Sequence, residues 1–225
     1  MTATQVFSAL ARGLRCPGFV RPRPLLSLFL SLAFCAPADI LSARAAGAVP
    51  PIQAGVYETL LLAVDNNGQI TGYYREAQGE GAIKTCDFFL KGRFAKDVLL
   101  INTWNDQTFP GEMRSGDKAV TLKVPKASEH PGCGLMLLPM IATDGVELSQ
   151  TLVRPWIELR TVAVTRSSLH SAPSLGNRRR AYLVQGDVVG VLAARNGWLQ
   201  IEYLREGKST TGWIPAGDAA VLYPP

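Results

Sequence analysis

From Gly55 onward the chain is a succession of strand-length apolar runs separated by turn residues. The 21 glycines and 15 prolines favour many turns over long helices. Period-two alternation recurs in these runs, as in Gln69–Glu76. There Ile70, Gly72 and Tyr74 share one face, and Thr71, Tyr73 and Arg75 the other. The Asp65-Asn66-Asn67-Gly68 stretch before it is a strong turn signal, because Asn and Gly tolerate positive φ. These features predict an all-β protein.

The first 45 residues are different in kind. They carry Arg12, Arg15, Arg21, Arg23 and Arg44 against a single acid, Asp39. That is +4 of the formal net charge of +5, so the remainder is left at +1. A nearly neutral body argues against a nucleic-acid footprint. Leu25–Ala38 is an apolar run of 14 residues, too short for a transmembrane helix but suited to a secretory signal. Cleavage is expected after Ala45, or alternatively after Ala38, with 46–54 as a flexible lead-in. The expected location is periplasmic or secreted. Cys16 and Cys35 leave with the leader, and Cys86 and Cys133 remain. Two cysteines in an oxidising compartment pair by default, so a Cys86–Cys133 disulfide is expected.

Residues 55–155 form the first expected domain. Gly55–Val64 reads as one strand, Thr85–Phe94, Asp97–Trp104, Ala119–Val124 and Val146–Val153 as others. Thr108–Asp117 and Pro125–Gly134 read as loops, the former because it holds Pro110, Gly111 and Gly116. Such a meander builds an antiparallel barrel or sandwich. The opening Gly55-Val56-Tyr57 and the turn-rich meander resemble small lipocalin- or avidin-type barrels; no ligand is carried over from them. Tyr57, Tyr73, Tyr74 and Trp104 either line a cavity or pack the core.

Residues 156–225 form the second. Trp156–Val164 opens a β run, Ser167–Asn177 reads as a polar loop, and Arg178-Arg179-Arg180 follow. Then come Tyr182-Leu183-Val184, Gly186-Asp187, Val188–Leu192, Gly197-Trp198-Leu199 with Ile201 and Tyr203, and Gly207-Lys208 before Gly212-Trp213-Ile214. With Ala172-Pro173 in the loop, this combination resembles the bacterial Src-homology-three domain family, over about a third of the mature chain. The resemblance implies a small five-stranded barrel, a role in cell-wall or peptide binding or attachment, and no catalysis by the module itself.

Period two places Leu199, Ile201 and Tyr203 on an inner face and Trp198, Gln200 and Glu202 on the outer one. Trp198 is then either a binding platform or a packing residue against the long loop or the first domain. Arg178, Arg179 and Arg180 either meet an anionic polymer or stay solvated, and Tyr182 joins them as a binding candidate. Trp213 reads as structural. Catalysis finds little support: His130 and His170 are the only histidines, and the thiol of Cys133 beside His130 is expected to be lost to the disulfide. No metal site or cofactor is expected; Ile70 stands where a calcium loop built on Asp65, Asn67, Gln69 and Glu76 needs Gly. The expectation is a non-enzymatic binding protein for a peptide, peptidoglycan or a protein partner. The alternative is a periplasmic inhibitor or immunity protein presenting Thr108–Asp117 or Pro125–Gly134 to a toxin or hydrolase.

Overall fold

The computed structural model describes residues 52–80, 83–95 and 98–225. The expected leader, 1–45, and residues 46–51 of the lead-in lie outside the described residues. Eight strands make the first module: β1 (Gly55–Tyr57), β2 (Leu60–Val64), β3 (Gln69–Gln78), β4 (Lys84–Ala95), β5 (Val98–Trp104), β6 (Thr108–Ser115), β7 (Ala119–Lys123) and β8 (Val146–Val153). Each pairs antiparallel with the next, and β8 pairs with β1, so the sheet is a closed up-and-down barrel.

An eight-stranded barrel is just wide enough for side chains to fill. Here Leu60, Leu62, Ile70, Phe88, Leu90, Leu99 and Met113 occupy the inside. Tyr57 and Tyr74 point into this core, whereas Tyr73 and Trp104 lie on the outer wall. The alternation expected for β3 therefore holds. Ile52, expected in a flexible lead-in, is buried in the barrel core.

Two expectations for this module are corrected. Gly55–Val64 is a tight hairpin rather than one strand: Tyr57 pairs with Leu60, and Glu58 takes the positive φ of 50°. No Gly or Asn marks that turn, so the sequence carries no signal for it. Thr108–Ser115 is strand β6 rather than a loop. Gly111 is there because a Cβ would stand 2.8 Å from the Lys123 carbonyl oxygen of the neighbouring strand.

Residues 124–145 cross one end of the barrel as turns and the single-turn helix α1 (Met140–Thr143). Val124, Ala127, Cys133, Met136 and Ile141 sink into the core from this cap. The cap is tied to β4 by the Cys86–Cys133 disulfide, across 47 residues of sequence.

The second module is a seven-stranded antiparallel sheet among the described residues. Its strands are β9 (Glu158–Val162), β10 (Arg166–His170), β11 (Arg178–Val184), β12 (Val188–Arg195), β13 (Trp198–Arg205), β14 (Lys208–Pro215) and β15 (Ala219–Val221), in the order β11-β10-β14-β13-β12-β9-β15. The sheet thus has two strands more than the five-stranded barrel expected of this region. Strands β10 and β11 form a hairpin where Ser167–Asn177 was expected to be loop throughout. Leu169 and Leu183 anchor that hairpin in the core, beside Val189, Val191, Ile201 and Ile214. Asn196-Gly197 and Glu206-Gly207 turn the β12–β13 and β13–β14 hairpins, all four with positive φ.

The two modules share an apolar seam. Ala63 and Trp104 of the barrel wall bury against Trp156, Leu159 and Leu222, with Tyr73 and Phe89 alongside. Main-chain bonds cross it: Val64 N–H donates to the Trp156 carbonyl at 3.1 Å, and Leu159 N–H to Thr71 Oγ1 at 2.9 Å. The described residues accordingly belong to one compact unit.

Candidate binding site

Strand β11 ends the sheet, so one row of its main-chain groups lies outside the ladder. Six of its seven residues are exposed, Leu183 being the buried one. The arginine run expected as a loop is thus the start of an edge strand. Arg179 donates from Nη1 to the Thr211 carbonyl at 3.1 Å, which ties the strand to β14. Tyr182 is 48 % exposed, and the Arg166 guanidinium sits 3.7 Å from its ring centroid. A cation over an aromatic face holds that ring in place.

Trp198 opens β13 and is half-buried. Its ring meets the His170 ring edge-on, with centroids 4.9 Å apart and an angle of 72°. His170 is buried, and its Nδ1 donates to the Ser174 carbonyl at 2.9 Å; a carbonyl only accepts, so this nitrogen carries the proton. His170 is also the register partner of Arg178 on one side and of Trp213 on the other. Trp198 and Arg178 are therefore brought together through His170. Tyr182 lies about 13 Å further along the edge strand, at about 3.3 Å per residue. His170 and Arg166 were not singled out by sequence, because neither belongs to a motif.

The outer face assigned to β13 is corrected. Trp198 is partly exposed there, but Glu202 is only 6 % exposed. That face is covered by the junction with the first barrel. The Glu202 carboxylate accepts from Trp156 Nε1 at 2.9 Å, from Arg154 Nε at 3.1 Å and from the Ser209 hydroxyl. Trp156 itself is 1 % exposed.

Inside the cap, His130 is buried between Phe88, stacked at 4.7 Å, and Phe109, edge-on at 4.9 Å. Thr103 Oγ1 donates to the Phe109 carbonyl at 3.3 Å and so accepts from His130 Nε2 at 3.0 Å. Nδ1 is then the bare nitrogen, and it has no partner. Burial pushes the His130 pKa down, with Asp106 and Glu129 partly opposing. Cys133 is consumed by the disulfide, so no thiol stands ready for His130 to activate. Among the described residues no group of three or more His, Cys, Asp or Glu is placed to hold a metal ion. No helix among them is long and apolar enough to cross a membrane.

Fold and surface together define the class: an all-β protein whose closed eight-stranded barrel is fused to a smaller sheet with a basic, aromatic edge strand. No family model, curated protein or solved structure matches the chain.

Proposed function

We propose that this is a secreted or periplasmic, non-enzymatic binding protein whose C-terminal module, of the bacterial Src-homology-three type, recognises a peptide, cell-wall component or protein partner. The observation that carries this reading is the edge strand β11, which presents Arg178, Arg180 and Tyr182 to solvent. An edge strand accepts an extended chain by main-chain pairing, and its side chains add specificity. The Trp198–His170 pair lies at the Arg178 end of that edge. Cations with an aromatic platform suit an anionic polymer carrying peptide stems. The test is co-sedimentation of purified protein with isolated peptidoglycan at low salt. The protein pellets, and Trp198→Ala or Arg178→Gln/Arg180→Gln weakens pelleting about tenfold. The arginine pair is exposed, so its variant keeps the fold. No pelleting of the parent protein refutes wall binding.

A second reading is an inhibitor of a hydrolase or toxin. It is favoured by the disulfide-tied cap, on which Leu135, Leu138 and Met140 are exposed close to Cys133. Of the two loops considered for this role, only Pro125–Gly134 and the residues after it remain, since Thr108–Ser115 is strand. A stoichiometric enzyme partner that loses activity on binding, and regains it when Leu135→Ser is used, distinguishes this reading from the first.

A further inference from the structure

A cleft of about 680 Å³ opens between the barrel and the second module's sheet, with the β11–β12 turn, Gly186-Asp187, at its edge. Leu61 and Ile83 from the barrel module and Val188 and Leu204 from the sheet make its aliphatic lining. Tyr73 and Tyr203 stand in it from opposite modules. Both rings are fixed through their hydroxyls: Tyr73 donates to Asp87 Oδ2 at 3.3 Å, and Tyr203 to Asp187 Oδ1 at 2.8 Å. Their donors are thus already committed.

Arg75 enters the same cleft from β3. Its charge acts on both tyrosine hydroxyls. Yet its guanidinium makes no hydrogen bond or ion pair with the described residues. The other charged side chains there are engaged. Glu58 accepts from Ser149 N–H, Asp187 accepts from Val184 N–H as well as Tyr203, and Arg205 pairs with Glu206. Asp87, opposite Arg75 in register, is held by Tyr73 and Asn105. A guanidinium with free donors beside apolar walls and ring faces is a seat for an acceptor of negative charge.

We propose that this cleft binds a small organic carboxylate, with the carboxylate on Arg75 and its apolar body between Tyr73 and Tyr203. With Arg205 paired to Glu206, the Arg75 guanidinium is left to match a monoanion by two parallel N–H···O bonds. The surrounding Glu58, Asp87, Asp187 and Glu206 repel a dianion, which disfavours a phosphate monoester. The cleft lining does not include Arg178, Arg180, Tyr182 or Trp198, and the proposal does not rest on the role given to them. The carboxylate is carried either by a free acid or by the C-terminus of a short peptide.

The experiment is an NMR titration of the purified protein with four probes: 3-phenylpropanoate, acetyl-Ala-Phe, and the primary amide of each. Shifts of the Tyr73, Tyr203 and Arg75 side chains that saturate with an acid, at about tenfold lower concentration than with its amide, support the proposal. Tighter binding of the dipeptide acid names the peptide terminus as the source; equal or tighter binding of phenylpropanoate names the free acid. Arg75 is exposed, so Arg75→Gln keeps the fold, and it abolishes the difference between acid and amide. Acids that bind no better than amides, acids that do not bind at millimolar concentration, or unchanged binding by Arg75→Gln overturn it.

Discussion

The indole N–H of Trp156 donates to the Glu202 carboxylate at 2.9 Å, joining the segment that leaves the first barrel to the middle of the second module's sheet. Arg154 and Ser209 complete the carboxylate's shell. The group that looks most solvent-facing in the sequence of β13 therefore sits at the junction. Glu202→Ala leaves the indole N–H without its acceptor and Arg154 without its counter-charge. It lowers stability by about 3 kcal/mol, since removing one partner of a buried pair strands the other. Urea denaturation checks this. An unchanged midpoint contradicts the role given to Glu202.

Gly190 lies against the same indole. A Cβ there would stand 2.4 Å from the Trp156 ring, inside any real contact. Gly190→Ala forces the indole to shift, and overpacking of this kind costs about 2 kcal/mol. The shift also disturbs the bond to Glu202. In a double-mutant cycle, Gly190→Ala and Glu202→Ala are consequently less than additive. Strict additivity of the two denaturation midpoints counts against the coupling.

Much of this architecture was legible in sequence. The Asp65–Gly68 turn and the alternation of β3 follow from local chemistry, and the Cys86–Cys133 pairing from the two cysteines left beyond the expected leader. In the turn, Asp65 Oδ1 accepts from the Asn67 and Gln69 N–H groups, each at 2.8 Å. What was not legible depends on contacts far along the chain. Alternation says that Trp198 and Glu202 share a face of β13, but not that the junction with the first barrel covers one of them. Likewise, Pro110 and Gly111 read as loop residues. Gly111 is in fact required where β6 runs close to β7, a proximity set by barrel closure. The Glu58 turn gave no signal because a glutamate occupies the positive-φ position. Of the candidate site, the sequence offers Arg178 and Trp198 as separate residues; their proximity runs through His170, a contact between strands that no local pattern carries.

The disulfide closes a long loop around the cap. In the chain-entropy picture, opening a loop of 47 residues removes about 4 kcal/mol of stability. Cys86→Ser/Cys133→Ser, or reduction of the parent protein, therefore lowers the thermal midpoint. The cap residues Val124 to Ile141 lose amide protection first, read by hydrogen exchange. Equal stability of oxidised and reduced protein contradicts this.

His130 makes the cap sensitive to acid. Its folded pKa lies below the ordinary 6.5 because burial disfavours the charged ring. The unfolded chain then takes up the proton first. The histidine's contribution is complete above pH 6.5 and is lost as pH falls below it toward the folded pKa. The slope is at most about 1.4 kcal/mol per pH unit. Urea midpoints from pH 8 down to pH 5, compared with those of His130→Gln, isolate this term, because His170 is present in both proteins. A parent profile parallel to that of His130→Gln contradicts it.

The most direct measurement of the proposed role is a ¹H–¹⁵N titration of the purified protein with soluble peptidoglycan stem peptides and muropeptides. The account predicts saturable shifts of the Trp198 indole and of the Arg178–Val184 amides, lost in Arg178→Gln/Arg180→Gln. Absence of shifts at that edge, or shifts confined to the first barrel, contradicts recognition by β11 and Trp198.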